Sequence, residues 1–122
     1  IVGFITFWEF GGVLFGEHLA IDDSLRGKDI GGAAIEFLKE KSLATGKPLI
    51  LEIEIPTDPL KIRREQFYLR HGFVMNDIKH FQPPFHKGEA PLELLIMSYP
   101  SHISQGVYDR FYPEYKAIMP AF

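Results

Sequence analysis

The spacing of apolar residues along the chain changes several times, and each change marks a predicted element. Residues 1–10 (IVGFITFWEF) are rich in β-branched and aromatic residues, a glycine pair follows, and the apolar pattern resumes at Val13. This order is typical of a β-hairpin. We expect its second arm to continue to Ile21, where Asp22, Asp23 and Ser24 supply turn residues.

From Ile30 onward the apolar residues follow the period of a helix. The predicted stripe recurs at spacings of three and four residues and consists of Ile30, Ala33, Ala34, Phe37 and Leu38. Gly46 predicts the end of this helix because glycine readily adopts the left-handed C-terminal cap. Pro48 could not continue the helix in any case.

Residues 48–56 (PLILEIEIP) are too short for a confident helix and predict a strand, with the carboxylates of Glu52 and Glu54 on one face. Asp58 followed by proline is a helix-start signature, and this helix should run through Leu69 and stop near Gly72. Residues 73–75 and 91–99 predict two further strands. The sequence between them contains two adjacent prolines and predicts an irregular connection.

Strands alternate with helices after an opening hairpin, so the predicted class is α/β with a mixed sheet. We expect one domain over residues 1–122, with a core at 1–99 and a C-terminal tail at 100–122. The tail is aromatic-rich and should pack against the domain, although its sequence predicts no definite structure.

Composition narrows the functional classes. With 122 residues, 46% of them hydrophobic, the chain can bury a core without metals or disulfides. It has no cysteine, which excludes a disulfide scaffold, a thiol nucleophile and a zinc-thiolate site, and which fits a cytoplasmic location best. The net charge is −3 and the basic residues are scattered, so the sequence does not indicate a nucleic-acid-binding surface. No apolar run approaches the roughly 20 residues of a membrane span.

The histidines show no spacing typical of metal ligands, so we expect no metal site. We interpret all five as polar surface or loop residues: His18, His71, His80, His86 and His102. The chain begins at Ile1, inside a strand-like run, which suggests that an N-terminal portion is missing.

A glycine-bearing turn links the second strand to the first helix and predicts an anion site. The first N–H groups of a helix have no intrahelical partner and carry partial positive charge, so a phosphate can bind there. The predicted phosphate-binding residues are Arg26, Gly27, Lys28, Asp29, Ile30, Gly31 and Gly32. An ordinary strand-to-helix loop with small residues for packing is an equally good interpretation of this turn alone.

Three segments together resemble the GNAT N-acetyltransferases: the strand EHLAI, the turn SLRGKDIGG, and REQFYLRHGF at residues 64–73. The phosphate motif of that family is Arg or Gln, two residues, Gly, one residue, then Gly or Ala. Arg26 and Gly31 match its ends, while Asp29 replaces its first glycine. The resemblance covers residues 1–75 clearly and residues up to 99 more loosely.

The resemblance implies a GNAT fold, with a mixed, largely antiparallel twisted sheet and flanking helices, and transfer of an acetyl group from acetyl-CoA to a primary amine by direct attack. The family's tyrosine corresponds to Tyr68 and would protonate the departing thiolate. Pantetheine would bind along the strand before the motif, at the backbone of Leu19, Ala20 and Ile21.

Glu17 is the candidate base for the amine, because it precedes the pantetheine positions on the same strand face; Glu52 and Glu54 compete with it. All three carboxylates could equally be solvated strand residues. The expected partners are a small-molecule or peptide amine substrate, without nucleic acid or membrane, and a homodimer is left open.

Two functional classes remain at this point. The enzyme is favoured, and the alternative is a catalytically inactive acyl-CoA-binding or interaction module with the same fold. Asp29 bears on this choice, since its carboxylate would either repel the pyrophosphate or point to solvent and cap the helix. The second orientation is the one we favour.

Overall fold

The computed structural model describes residues 3–10, 12–21, 30–83 and 88–118, and for residues 3–6, 17–21, 30 and 31 it describes the backbone only. The elements follow one another in the order β1 (Gly3–Glu9), β2 (Leu14–Ile21), α1 (Ile30–Thr45), β3 (Leu49–Ile53), α2 (Pro59–Arg70), β4 (Val74–Met75), β5 (His80–Gln82), β6 (Leu92–Tyr99) and α3 (Gln105–Ile118).

These strands form one mixed sheet in the order β1-β2-β3-β6-β4, and β5 pairs with β6 beside this path. Strands β2 and β3 are parallel, whereas the other described pairs are antiparallel. The expected mixed, largely antiparallel sheet with flanking helices is therefore confirmed, and the fold is of the α+β class.

The core is divided between the two faces of the sheet, because successive strand residues point to opposite sides. In β3, Leu49, Leu51 and Ile53 pack with Ile35 and Leu38 of α1. Ile50 points the other way and packs with Tyr108, Phe111 and Tyr115 of α3. Helix α1 therefore covers one face and α3 covers the opposite face.

The predicted boundaries of the first two helices are confirmed, and their causes are visible. Gly46 follows α1 with φ of 72°, in the left-handed region that glycine tolerates. The side chain of Asp58 accepts a hydrogen bond from the backbone N–H of Lys61 at 2.9 Å, which caps α2, and Pro59 occupies the first turn.

The predicted apolar stripe of α1 coincides only in part with its buried face, and α2 is less buried than α1. Ile35 and Leu38 are fully buried in α1, but Phe37 is 54% exposed. In α2 none of the residues is fully buried, and both Leu60 and Ile62 are exposed. Helix α2 thus lies at the edge of the core and contacts it through its last turns.

The segment predicted as an irregular connection contains a strand, since β5 pairs antiparallel with β6 through His80, Phe81 and Gln82. The sequence prediction missed it because the strand is only three residues long and ends directly before a proline. The irregular assignment at residues 84–87 lies outside the described residues.

The tail packs against the domain, as expected, but it forms the helix α3, which the sequence prediction did not assign. Its apolar residues Tyr108, Phe111 and Tyr115 recur at helical spacing and are buried. Buried Asn76 anchors the approach to this helix: its Oδ1 accepts from the backbone N–H of Ile103, and its Nδ2 donates to Ser98 Oγ. Pro113 lies inside the helix.

Strands β2 and β3 approach each other closely at Gly16. A Cβ atom added there would lie 2.5 Å from Cδ2 of Leu51, which is itself buried in the core. A residue with a Cβ at position 16 would therefore have to displace the buried Leu51 side chain, at the last residue pair that joins the two strands.

We expect Gly16→Ala to destabilise the protein by about 1–3 kcal/mol, because the added methyl group overpacks the contact with Leu51. Gly12→Ala is the matched control, since an added Cβ there meets nothing within 4 Å among the described residues. The control should change the free energy of unfolding by less than about 0.5 kcal/mol. Urea unfolding of both variants measures this, and equal midpoints would contradict the assignment.

Candidate active site

A gap opens between β2 and β3 in the middle of the sheet. The two strands pair only through Leu14, Phe15 and Gly16 with Leu49, Ile50 and Leu51. Beyond this point β2 continues to Ile21 paired with β1, and β3 continues to Ile53 paired with β6. Among the described residues, the edge of β2 that faces β3 therefore carries unpaired backbone groups after Gly16.

A β-bulge in β2 lies where the strands separate. Phe7 of β1 pairs with Gly16 and the adjacent Thr6 pairs with His18, so Glu17 is an extra residue without a partner on β1. A bulge bends its strand and increases its twist. The bulge at Glu17 thus accounts for the divergence of β2 from β3.

The predicted phosphate-binding turn lies at the end of β2. Helix α1 begins at Ile30, as expected, so its first N–H groups follow the turn directly. Gly32 is buried in the first turn of this helix. Arg26, Gly27, Lys28 and Asp29 lie outside the described residues, and their role as phosphate ligands stays a prediction.

The structure describes the backbone of the predicted pantetheine positions. Leu19, Ala20 and Ile21 pair on one side with Ile5, Phe4 and Gly3 of β1. Their other side is the unpaired edge of β2. Backbone N–H and C=O groups on such an edge are available to an extended ligand.

Tyr68 lies in the last turns of α2, on the face of the sheet that α1 covers. Its ring is half-buried and contacts Phe67 and Phe73, with ring centroids 5.3 and 5.7 Å apart. Its backbone C=O accepts a hydrogen bond from the N–H of Phe73, which fixes the link to β4. Burial raises the pKa of the Tyr68 phenol above its usual value of 10.0, so the hydroxyl is protonated at neutral pH.

The candidate carboxylates have different environments. Glu54 is exposed beyond the end of β3 and forms ion pairs with Lys61 and Arg64 of α2. Arg64 is thereby part of an exposed helix face. Glu17 occupies the bulge, and its side chain lies outside the described part of the chain.

Glu52 is the first residue of β3 beyond the last parallel pair, and it is largely buried, with 10% of its side chain exposed. It points to the α3 face, where its Oε2 atom accepts a hydrogen bond from the Tyr115 hydroxyl at 2.5 Å. The same oxygen lies 2.6 Å from Nε2 of His80. The alternative interpretation of Glu52 as a solvated strand residue is therefore wrong, because two buried side chains hold its carboxylate.

His80 belongs to this buried cluster, so its interpretation as a surface or loop residue was wrong. Its side chain is fully buried in β5, and its Nδ1 atom lies 2.7 Å from the Tyr108 hydroxyl. Its ring contacts Tyr115 and Tyr112 as well, at 5.0 and 5.9 Å between centroids. One sequence signal could have pointed to this cluster. The helical spacing of Tyr108, Phe111 and Tyr115 in α3 predicts a buried face that carries phenol groups, and such groups need polar partners.

The sequence comparisons identify the family. The sequence model of the acetyltransferase (GNAT) domain matches residues 1–75. None of the curated proteins compared with this sequence matches it. The chain belongs to the GNAT acetyltransferase family.

The structural comparisons agree with this assignment. A protein of the GNAT acetyltransferase family from Bacteroides thetaiotaomicron is 31% identical, with a TM-score of 0.78 over 93% of this chain. A GNAT acetyltransferase from Elizabethkingia anophelis, determined with acetyl-CoA bound, has a TM-score of 0.60 at 13% identity, over 80% of this chain and 67% of its own. The ribosomal-protein-S18-alanine N-acetyltransferase from Escherichia coli has a TM-score of 0.59 at 17% identity, over 84% of this chain and 63% of its own.

This chain spans 62% of the length of the Bacteroides thetaiotaomicron protein. The two more distant likenesses concern the fold alone. Within the described residues, no helix is both long and apolar enough to cross a membrane. In the same part of the chain, no group of three or more His, Cys, Asp or Glu side chains is arranged to hold a metal ion.

The buried phenols predict loss of stability at alkaline pH. Burial raises the pKa of Tyr108 and Tyr115 as well as that of Tyr68, and the bond to Glu52 raises that of Tyr115 further. A phenol with a raised pKa stabilises the fold fully below its unfolded pKa of about 10, and this stabilisation is lost as the pH rises through the folded value.

We therefore expect the free energy of unfolding to fall above pH 10, by up to about 1.4 kcal/mol per pH unit for each buried phenol. Urea midpoints between pH 7 and 11 measure this. Tyr115→Phe should show a shallower decline over that range, because one titrating group is absent. A decline as steep as that of the wild type would contradict the assignment.

Proposed function

We propose that this protein is an acetyl-CoA-dependent N-acetyltransferase that acetylates a primary amine by direct attack. The observation that carries the proposal is the gap between β2 and β3, where the edge of β2 is unpaired among the described residues and α1 is the next described element in the chain. This arrangement, in a chain of the GNAT family, suits an extended thioester ligand that ends in a pyrophosphate. The acetyl-CoA bound in the Elizabethkingia anophelis protein supports the same ligand class.

The residues present fit acetyl-CoA. The backbone of Leu19, Ala20 and Ile21 would hold pantetheine along the free edge of β2. Residues 26–29 and the first residues of α1 would bind the pyrophosphate, because helix N-terminal N–H groups favour negative charge. Bound acetyl-CoA supplies an activated acyl group as a thioester.

The proton transfers that the reaction requires define the roles of the side chains. An amine arrives largely as an ammonium ion with three N–H bonds. One of these protons remains in the amide product, one ends on the sulfur of CoA, and one leaves to solvent. The chain therefore needs a proton acceptor on the amine side and a proton donor on the thiolate side.

Tyr68 is the proposed donor. It lies on the α1 face of the sheet, and its hydroxyl, like that of any phenol, is protonated at neutral pH. A phenol in this state can give its proton to a thiolate and recover it afterwards.

Glu52 is the carboxylate that the geometry supports best as the proton acceptor. It is adjacent to the last β2–β3 pair and points to the face opposite Tyr68, so acceptor and donor would approach the gap from different sides of the sheet. Glu17, the candidate favoured by sequence, stays a competitor because the bulge places its backbone at the same gap. Glu54 is the weakest candidate, since Lys61 and Arg64 neutralise it at the surface.

We further propose a small molecule or a peptide as the amine substrate and the cytoplasm as the location, with neither nucleic acid nor a membrane as a partner. The composition supports these proposals through its scattered charge and its absence of cysteine.

Two measurements on the wild-type protein test the proposed function. Calorimetry should show that acetyl-CoA binds, and CoA release should follow with at least one amine from a panel of polyamines, aminoglycosides, amino acids and peptides. Binding without release by any amine would favour the inactive acyl-CoA-binding module. Absence of binding at millimolar acetyl-CoA, with the protein folded, would contradict both functions.

Tyr68→Phe should lower turnover by about 100-fold or more while leaving acetyl-CoA affinity nearly unchanged, because it removes one general acid and keeps the ring. Steady-state kinetics and calorimetry measure the two effects. Tyr99→Phe is the control, because Tyr99 packs against Phe73 on the same face without a proposed role in the reaction. Unaltered turnover in Tyr68→Phe would remove Tyr68 from the mechanism.

A further inference from the structure

The part of the chain beyond the family match contributes side chains to Glu52. The match ends at residue 75, whereas β5 and α3 lie wholly beyond it. These two elements place His80 and Tyr115 against one oxygen of Glu52, and Tyr108 against the far side of the His80 ring. Four polar side chains thus form one connected network under α3.

The directions of these hydrogen bonds follow from the chemistry of the groups. An ionised carboxylate can only accept, so His80 donates through Nε2–H and Tyr115 donates through its hydroxyl. In the neutral imidazole, Nδ1 of His80 is then the acceptor for the Tyr108 hydroxyl, which lies 2.7 Å away. Burial raises the pKa of Tyr108 and Tyr115, which keeps both phenols protonated and able to donate at neutral pH.

Both bonds to Glu52 end on Oε2. Two strong donors on one oxygen fix the orientation of the carboxyl group and leave Oε1 as the atom through which it can meet a ligand. Glu52 is the first residue of β3 beyond the last pair with β2, and its side chain keeps 10% exposure. Its carboxylate is therefore close to the start of the gap.

Stability alone gives little reason for such a network. Buried ionised groups cost desolvation free energy, and apolar side chains of similar volume usually serve a core as well or better. The rest of the α3 face is built in that way from Val13, Phe15, Ile50 and Ile96. The cluster of Glu52, His80, Tyr108 and Tyr115 interrupts this apolar layer beside the gap.

We propose that β5 and α3 form a positioning device for the proton acceptor: His80 and Tyr115 hold Glu52 by Oε2, and Tyr108 fixes His80 in its donating tautomer. This inference rests on the proposed acetyltransferase function. Glu52 takes one proton from the substrate ammonium on Oε1 and releases it to solvent after the acetyl transfer. His80, Tyr108 and Tyr115 act through Glu52 and do not contact the substrate.

Tyr115→Phe tests the proposal, with Tyr112→Phe as the matched control. Each change removes one hydroxyl from α3 and keeps the ring, but Tyr112 donates to the backbone oxygen of Phe81 at 3.0 Å and not to Glu52. The titratable groups described in this cluster are Glu52 on β3, His80 on β5, and the three tyrosines of α3, with Asp109 acting on Tyr108.

Loss of a donor disfavours the ionised carboxylate. In Tyr115→Phe we therefore expect the acid limb of the kcat/KM profile to move to higher pH by about one unit, and kcat at neutral pH to fall by about tenfold. The KM for acetyl-CoA should change by less than about twofold, because removing an interaction of the chemical step leaves ground-state binding in place. Tyr112→Phe should match the wild type in all three quantities.

A second readout needs no acceptor amine. In protein labelled with ¹³C at the glutamate carboxyls, the Glu52 signal is assigned by its loss in Glu52→Gln, and its titration midpoint should rise in Tyr115→Phe but not in Tyr112→Phe. Nitrogen-15 spectra of the imidazoles should show His80 as the Nε2–H tautomer in the wild type. In a third comparison, His80→Gln keeps an N–H donor and should retain more activity than His80→Leu.

The outcomes separate this inference from the proposed function. If amines are acetylated but Tyr115→Phe and Tyr112→Phe have the same acid limb and the same Glu52 midpoint, the positioning role is overturned. An Nδ1–H tautomer of His80 would likewise overturn it. If the midpoint shifts as expected but no amine in the panel is acetylated, the proposed function fails, and the role of Glu52 in proton transfer fails with it.

Discussion

The separation of β2 from β3 is the constraint on which the rest of the structure depends. The two strands approach so closely at Gly16 that a Cβ there would displace Leu51, and one residue later the bulge at Glu17 turns β2 away. Since both strands keep their outer partners, the sheet stays intact while its centre opens. Backbone N–H and C=O groups that would be hydrogen-bonded in a continuous sheet are thereby left available for a ligand.

The opening also divides the proposed chemistry between the two faces of the sheet. Helices α1 and α2 cover the face that carries Tyr68, where an aromatic and aliphatic environment keeps the phenol neutral. The opposite face, under α3, carries Glu52 within a hydrogen-bonded cluster. A proton donor and a proton acceptor can thus be kept apart, each in the environment that suits its protonation state.

Much of this fold could be predicted from the sequence, because local signals coincide with the elements. The hairpin glycines, the cap at Asp58 and the glycine stop at Gly46 all act through the nearest residues. The motif segments were sufficient to identify the family, and they led to the candidate tyrosine and to the turn before α1.

The remainder depends on contacts between distant residues. The role of His80 could not be predicted, since its partners Glu52 and Tyr108 are each 28 positions away in sequence. The bulge at Glu17 is defined only by the register of β1. Strand β5 is too short to give a period, and it forms because β6 offers a free edge.

The central claim is that the unpaired edge of β2 and the start of α1 together receive acetyl-CoA. Amide hydrogen exchange of the wild-type protein, measured with and without saturating acetyl-CoA, tests it most directly. We expect slower exchange at residues 17–21 and 26–32, and unchanged exchange in α3. Binding of acetyl-CoA that leaves exchange at residues 17–21 unaltered, or that protects a different surface, would contradict it.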